Sequence, residues 1–185
     1  METSELEIRV LDAAETLLYG RGLQTVGMDE IRTASGVSLK RLYQLFPSKG
    51  CLVEAYLRRR DERWRASLAA HVDARPPGEG RILAVFDWLE SWFGEPDFRG
   101  CAFVNSFGEL GATSESVAAA ARDHVAALGR YLAGLVAAEG FPARVADPLM
   151  LLVEGAITTA AISGSSGPAA QAREAARVLL EAGRP

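Results

Sequence analysis

Apolar residues recur at helical spacing along almost the whole chain, and no sustained alternation of apolar and polar residues predicts a strand. Glycine and proline interrupt this pattern at intervals, so that it divides into segments of helix length. We predict helices over residues 4–19, 28–35, 39–45, 48–74, 81–93, 101–110, 114–139, 143–163 and 169–182. The chain is therefore predicted to be all-α, with about nine helices.

Composition excludes several classes of protein. The 185 residues are 49% hydrophobic, which is enough for a packed core and too much for intrinsic disorder. Two cysteines, Cys51 and Cys101, are too few for a disulfide scaffold. The longest apolar run, 149–162, contains Glu154 and follows Asp147, so it is not predicted to span a membrane. We expect a cytoplasmic protein without a membrane partner.

The distribution of charge is more informative than the net charge of −4. Residues 32–49 contain four basic side chains and no acidic one, and both lysines of the chain lie there. The other residues carry 16 basic and 24 acidic groups, a balance of −8. The chain can therefore meet a polyanion only through this basic segment. Charge alone would fit a solvated surface equally well.

Two short helices, 28–35 and 39–45, flank a tight turn at 36–38, the layout of a helix-turn-helix. An apolar seam between them is predicted from Ile31, Ala34, Val37, Leu42, Leu45 and Phe46. The outward residues of the second helix are then Leu39, Lys40, Arg41, Tyr43 and Gln44. A seam of this kind sets the direction in which the second helix projects.

These outward side chains suit a DNA major groove. Lys40 and Arg41 lie in the first helical turn, where arginine pairs with guanine, and Gln44 suits adenine. The Tyr43 hydroxyl can donate to a phosphate, and Lys49 can hold one at the start of the next helix. The alternative is a helical corner whose basic residues face only water.

Residues 34–49, Ala-Ser-Gly-Val-Ser-Leu-Lys-Arg-Leu-Tyr-Gln-Leu-Phe-Pro-Ser-Lys, closely resemble the signature of the TetR family of bacterial transcriptional regulators. Residues 13–22 and 28–31 also fit the opening of that family, and the resemblance covers about the first 55 residues. It implies a homodimer that places two recognition helices in adjacent major grooves of a palindromic double-stranded operator. It also implies domains at 1–50 for DNA binding and 51–185 for effector binding and dimerisation.

Three positions depart from the family pattern. Val26 replaces a phosphate-binding threonine, Gly27 replaces a capping residue, and Arg32 replaces a small residue. The first two changes would weaken backbone contacts, whereas Arg32 would restore one. The residues predicted to contact DNA are Arg32, Ser38, Leu39, Lys40, Arg41, Tyr43, Gln44 and Lys49.

Aromatic residues of the C-terminal part favour a core and, less strongly, an effector pocket. If the pocket implied by the family lies there, its predicted lining is Trp88, Trp92, Phe103, Phe107, Met150, Glu154, Ile157 and Thr158. Asn105 and Glu109 are two further polar candidates for orienting a ligand. A carboxylate in so apolar a stretch as that around Glu154 needs a partner, which is either internal or a cationic or hydroxylated effector.

The apolar pattern of the last two helices, together with the family resemblance, predicts a four-helix seam between two subunits. The residues assigned to this dimer interface are Leu149, Leu152, Val153, Ala156, Ala172, Ala176 and Leu179.

No motif predicts an enzyme, a metal site or a cofactor. His71 and His124 are isolated and are interpreted as surface or packing residues. Cys51 and Cys101 are interpreted as spectator thiols, with a redox sensor as the alternative. The resemblance to the TetR family implies a sequence-specific transcriptional regulator, a repressor released by a small, largely apolar effector. The alternative is a helical protein-interaction module without specific DNA binding.

Overall fold

The computed structural model describes residues 3–183, and this part of the chain is all-α, as the sequence predicts. Its nine α-helices are α1 (Thr3–Arg21), α2 (Met28–Ser35), α3 (Leu39–Leu45), α4 (Lys49–Asp73), α5 (Glu79–Phe93), α6 (Ala102–Leu110), α7 (Glu115–Ala138), α8 (Ala146–Ser163) and α9 (Gly167–Gly183). The bounds of α2 and α3 are those predicted, and most other ends differ by one or two residues.

Only the start of α8 differs in kind from the prediction. Ala143–Val145 form a 3-10 turn, and the α-helix begins at Ala146. The reason is Pro148, which has no N–H to donate to the carbonyl four residues earlier. The backbone N–H groups in the first turn of a helix have no acceptor within the helix. In a helix that starts at Ala146, position 148 lies in this turn, so a proline there costs no hydrogen bond.

The chain divides into two compact units. The first comprises the described residues up to Glu62 together with Ala102–Asp123, and the second comprises Arg63–Cys101 and the described residues from His124 onward. Helices α4 and α7 therefore each contribute to both units, and α6 groups with the N-terminal helices. This division differs from the predicted boundary at residue 50, which remains a prediction for the DNA-binding module.

The core of the first unit lies between α1, the two short helices and the beginning of α4. Val10, Ile31, Leu42 and Leu52 are fully buried there. Polar contacts reinforce the packing of α1 on α4, since Arg60 donates to Glu15 at 3.0 Å and lies 3.7 Å from the centre of the Tyr19 ring. The helix-turn-helix thus packs against α1 and the beginning of α4 through a shared buried core.

In the second unit, nine of the fifteen residues of α5 are buried, and the helix packs against α8 and α9. Arg173 of α9 donates to Asp87 of α5 at 2.7 Å. The segment Ala143–Ser163 is long and apolar enough to cross a membrane by length and composition, as is true of many core helices. Here one side of α8, including Leu149 and Val153, is buried in the core of the unit.

Candidate functional site

The turn between α2 and α3 is built by local capping. Gly36 ends α2 with φ of 65°, a left-handed conformation that glycine adopts without strain. Ser38 begins α3, where its hydroxyl accepts a hydrogen bond from the backbone N–H of Arg41 at 3.3 Å. The predicted seam is buried at Ile31, Val37, Leu42 and Phe46.

Two predicted members of the seam deviate from the prediction. Ala34 is exposed, and Leu45 is only half-buried. The buried residue of α2 beside Ile31 is Ser35, whose carbonyl accepts from Arg9 at 2.5 Å and whose hydroxyl donates to the carbonyl of Arg32. A serine is tolerated at this position because its polar atoms are hydrogen-bonded.

Gly27, at the N-terminus of α2, has no side chain that could cap the helix, and the carboxylate of Glu30 supplies a hydrogen bond there instead. Glu30 accepts a hydrogen bond from the backbone N–H of Gly27 at 3.2 Å and pairs with Arg21 at 2.5 Å. The hydrogen bond from Gly27, followed by the interaction with Arg21, lowers the pKa of Glu30. Val26 is fully buried and therefore serves the core.

All eight residues predicted to contact DNA lie in the first unit. Ser38, Leu39, Lys40, Tyr43 and Gln44 are exposed, and Arg32, Arg41 and Lys49 are half-buried. Two large apolar side chains among them, Leu39 and Tyr43, are 44% and 45% exposed, although apolar side chains usually favour burial. Arg32 is engaged on its own helix, where its Nε donates to Asp29 at 3.3 Å.

On α3, Arg41 and Gln44 form a hydrogen-bonded pair. The Nη1 atom of Arg41 donates to Oε1 of Gln44 at 3.2 Å, across one helical turn. Because Leu42 anchors α3 from the opposite side, the pair lies on the outer surface of the helix.

Glu109 has a role that the sequence did not reveal. Its carboxylate accepts hydrogen bonds from the backbone N–H groups of Leu23 and Gln24, at 3.0 and 2.9 Å. The side chain of Gln24 in turn donates to the carbonyl of Glu109 at 2.9 Å. We call these three bonds the Glu109 clasp. They tie the end of α6 to the loop between α1 and α2, which gives the Glu109 carboxylate two partners within the chain. That Glu109 orients a ligand stays a prediction.

Aromatic side chains form a continuous cluster in the second unit. The Trp64 ring meets Trp88, Trp92 and His124 edge to face, with centroids 4.9, 5.6 and 5.4 Å apart. Phe98 meets Trp92 at 5.0 Å. These side chains are mostly buried, which favours the core interpretation of Trp88 and Trp92 and the packing interpretation of His124.

Four buried polar atoms in the second unit have no hydrogen-bond partner within the described part of the chain. They are Nε1 of Trp64, Nε2 of His71, the hydroxyl of Tyr131 and Oε1 of Glu154. Burial raises the pKa of Glu154, and burial together with the charge of Asp73 raises the pKa of Tyr131 to about 12. Buried polar groups are nearly always hydrogen-bonded, so each of these atoms is a candidate to bind water or a ligand.

The predicted pocket residues are dispersed. Phe103 and Phe107 belong to the first unit, where Phe107 is half exposed. Ile157 is buried in the second unit, whereas Thr158 is exposed. One residue along a helix is a rotation of about 100°, which moves Thr158 to the outer side of α8. The assignment of Thr158 to the ligand pocket stays a prediction that its exposure does not favour, and Met150 and Glu154 remain candidates.

The predicted dimer interface stays a prediction, and most of its side chains pack inside their own chain. The buried ones are Leu149, Val153, Ala156, Ala172 and Ala176, whereas Leu152 and Leu179 are half-buried. The outer side of α8 instead presents Leu151, Gly155, Thr158 and Ile162, spaced four, three and four residues apart. We call these four residues the outer stripe. Leu151 is 73% and Ile162 is 83% exposed.

Other candidate chemistry is limited. Among residues 3–183, no group of three or more histidine, cysteine, aspartate or glutamate side chains could hold a metal ion. Cys101 is buried, and Cys51 is exposed with its sulfur 3.2 Å from the Ser48 hydroxyl.

Comparison with known proteins identifies a family. Residues 10–56 match the model of bacterial regulatory proteins of the tetR family. An uncharacterised HTH-type transcriptional regulator of Mycobacterium tuberculosis is 30% identical over 125 residues, which cover 65% of this chain and 62% of that protein. The match thus spans less than two thirds of the length of this curated relative.

Solved structures match over nearly the whole length. A TetR-family transcriptional regulator from Streptomyces coelicolor superposes with a TM-score of 0.88 and 26% identity, covering 97% of this chain and 96% of that one. A tetR-type regulator from Streptomyces avermitilis is 30% identical, with a TM-score of 0.78 and coverage of 96% and 97%.

Proposed function

The chain belongs to the TetR family of bacterial regulatory proteins, whose members are DNA-binding transcriptional regulators, and we propose that it is a homodimeric repressor released from a palindromic operator by a small effector. The observation that carries DNA recognition is the exposed surface of α3. It presents Lys40, Arg41, Tyr43 and Gln44 from a helix whose other side is anchored by buried Leu42. Side chains of these types bind phosphates and base edges.

The outer stripe of α8 supports a dimer. A two-fold interface uses the same surface on both subunits, so an exposed apolar helix face can pack against its own copy. Leu151 and Ile162 would otherwise leave large apolar side chains in water. On α9, Val178 is 52% exposed and is a second apolar candidate for this interface. A dimer with two copies of α3 matches a palindromic operator.

The second unit supports effector binding. Glu154 places an unpartnered oxygen in an apolar helix, and Trp64, His71 and Tyr131 supply three further polar atoms without partners. An effector with an apolar body and a cationic or hydroxyl group would satisfy a buried carboxylate that is otherwise costly. Release of DNA follows if the effector prefers a conformation in which the two α3 helices no longer match the operator.

DNA binding is tested by selecting bound fragments from the source genome and titrating the best fragment with salt. We expect a palindromic site, and a linear fall of log affinity with log salt of slope about −0.9 for each phosphate contacted. Arg41→Ala should lose or relax the base preference within each half-site, by about 1–3 kcal/mol per base contact. Arg130→Ala, which also removes a guanidinium but from an exposed position of α7, is the matched control and should bind as wild type does.

The absence of an enriched fragment at low salt, with the protein folded, would contradict the proposal. A helical protein-interaction module would bind DNA weakly and without sequence preference.

The pKa of Glu154 leads to a pH-dependent prediction. Since burial raises this pKa above its usual 4.5, the folded state favours the protonated form, and its stabilisation is lost as the pH rises through the raised value. The glutamine of Glu154→Gln cannot ionise, so this variant does not lose that stabilisation. Its free energy of unfolding, relative to that of wild type, should therefore be higher at pH 8 than at pH 5. Urea unfolding at both pH values measures this difference.

Glu90→Gln, an exposed substitution on α5, is the control and should show the same pH dependence as wild type. If the difference in the free energy of unfolding between Glu154→Gln and wild type is the same at every pH, Glu154 has an internal partner and is not available for an effector. Once an effector is known, its affinity for Glu154→Gln gives a direct second test.

A further inference from the structure

Arg41 and Gln44 constrain each other's hydrogen-bonding groups. Nη1 of Arg41 donates to Oε1 of Gln44 at 3.2 Å. The opposite orientation of the amide would bring an NH2 group against the guanidinium, donor against donor. The chemistry of the two groups therefore sets the orientation, with the Gln44 oxygen toward Arg41 and its nitrogen directed away.

The backbone beneath the pair is also defined. The Arg41 N–H is bound by the Ser38 hydroxyl at 3.3 Å, and Phe46 closes the helix by donating to the Leu42 carbonyl at 2.8 Å. Leu42 is fully buried, so α3 cannot rotate without exposing it. The pair therefore projects from one defined face of α3. A molecule bound against that face contacts both side chains.

We propose that Arg41 and Gln44 read DNA as one unit that offers only hydrogen-bond donors, so that both contact bases with acceptor edges. This inference rests on the proposed function and specifies its operator. Arg41 pairs with guanine through O6 and N7. Gln44 then contacts a neighbouring guanine, or the O4 atom of thymine, through its NH2 group.

The pair excludes adenine from the Gln44 position for an electrostatic reason. A glutamine that reads adenine accepts a hydrogen bond from the N6 amino group while donating to N7. Here the Gln44 oxygen already accepts from a cationic guanidinium, and the positive charge beside it repels an approaching N–H donor. Without Arg41, the same glutamine would be expected to choose adenine.

The test is selection of bound sequences from a randomised double-stranded DNA library with four full-length proteins. Wild type should enrich half-sites with guanine at one position and guanine or thymine at its neighbour. Gln44→Glu, which supplies only acceptors, should change that neighbour to cytosine. Arg41→Ala should alter both positions and bring adenine to the neighbour. Preferences of about 5- to 150-fold per base are expected.

Tyr43→Phe is the control, because loss of a phosphate contact lowers the affinity for all sequences without changing base preference. Adenine at the Gln44 position in wild type would overturn the inference. So would an Arg41→Ala selection that changes a single position. If no sequence is enriched by any folded variant, the proposed function itself fails, and the role of the pair fails with it.

Discussion

Replacing both Leu151 and Ile162 with glutamate should give a folded monomer whose operator affinity is about 10²- to 10⁴-fold lower than that of wild type. Both side chains are more than 70% exposed, and glutamate is a good helix former, so the chain itself should fold. In a two-fold interface each substitution occurs twice, and burying unpaired carboxylates is costly. A monomer then binds a single half-site, and the gain in affinity that comes from linking it to a second DNA-bound subunit is lost.

Light scattering at micromolar concentration measures the mass, and a titration with operator DNA measures the affinity. The double variant Ala133→Glu with Ala137→Glu is the matched control, because it adds the same two charges at exposed positions of α7 and should leave both quantities unchanged. A double variant that remains dimeric would mean that two copies associate through another surface.

The sequence predicted the helices well because their signals are local. Met28–Ser35 and Leu39–Leu45 are bounded by Gly27, Gly36 and Ser38, residues whose capping chemistry depends only on their immediate neighbours. The 3-10 turn before α8 was missed, although Pro148 was visible as its cause.

Which side of a buried helix faces the core was harder to predict. The segment around Leu149 is apolar on more than one side, so its sequence pattern does not separate a core face from a partner face. The structure buries Val153 and exposes Leu151, two residues that a hydrophobicity pattern treats alike. Only the positions of α5 and α9 decide between them, and this information is not local.

The Glu109 clasp could not have been predicted, because it joins residues more than 80 positions apart. A glutamate near the end of a helix carries no sequence signal that distinguishes a ligand contact from a bond to a distant backbone. In the structure, Gly22 follows α1 with φ of 92° and lies directly against this carboxylate. A side chain at this position would place its Cβ 2.9 Å from the Glu109 carboxylate.

Glu109→Ala should lower the free energy of unfolding by about 2–4 kcal/mol, the second large effect that we expect. Two hydrogen bonds to a charged acceptor are lost, each worth about 1.5–3 kcal/mol and not strictly additive, and the Leu23 amide is left partly buried without a partner. Urea unfolding measures the loss, and the amide protons of Leu23 and Gln24 should exchange faster with solvent.

Glu115→Ala is the control for this substitution. Glu115 belongs to the same unit and pairs with Arg122 at 2.5 Å, but both side chains are well exposed, so the loss should stay below about 1 kcal/mol. Equal losses in the two variants would mean that the clasp contributes no more than a surface ion pair. A larger loss in Glu109→Ala would show that α6, although distant in sequence, stabilises the loop from which the helix-turn-helix begins.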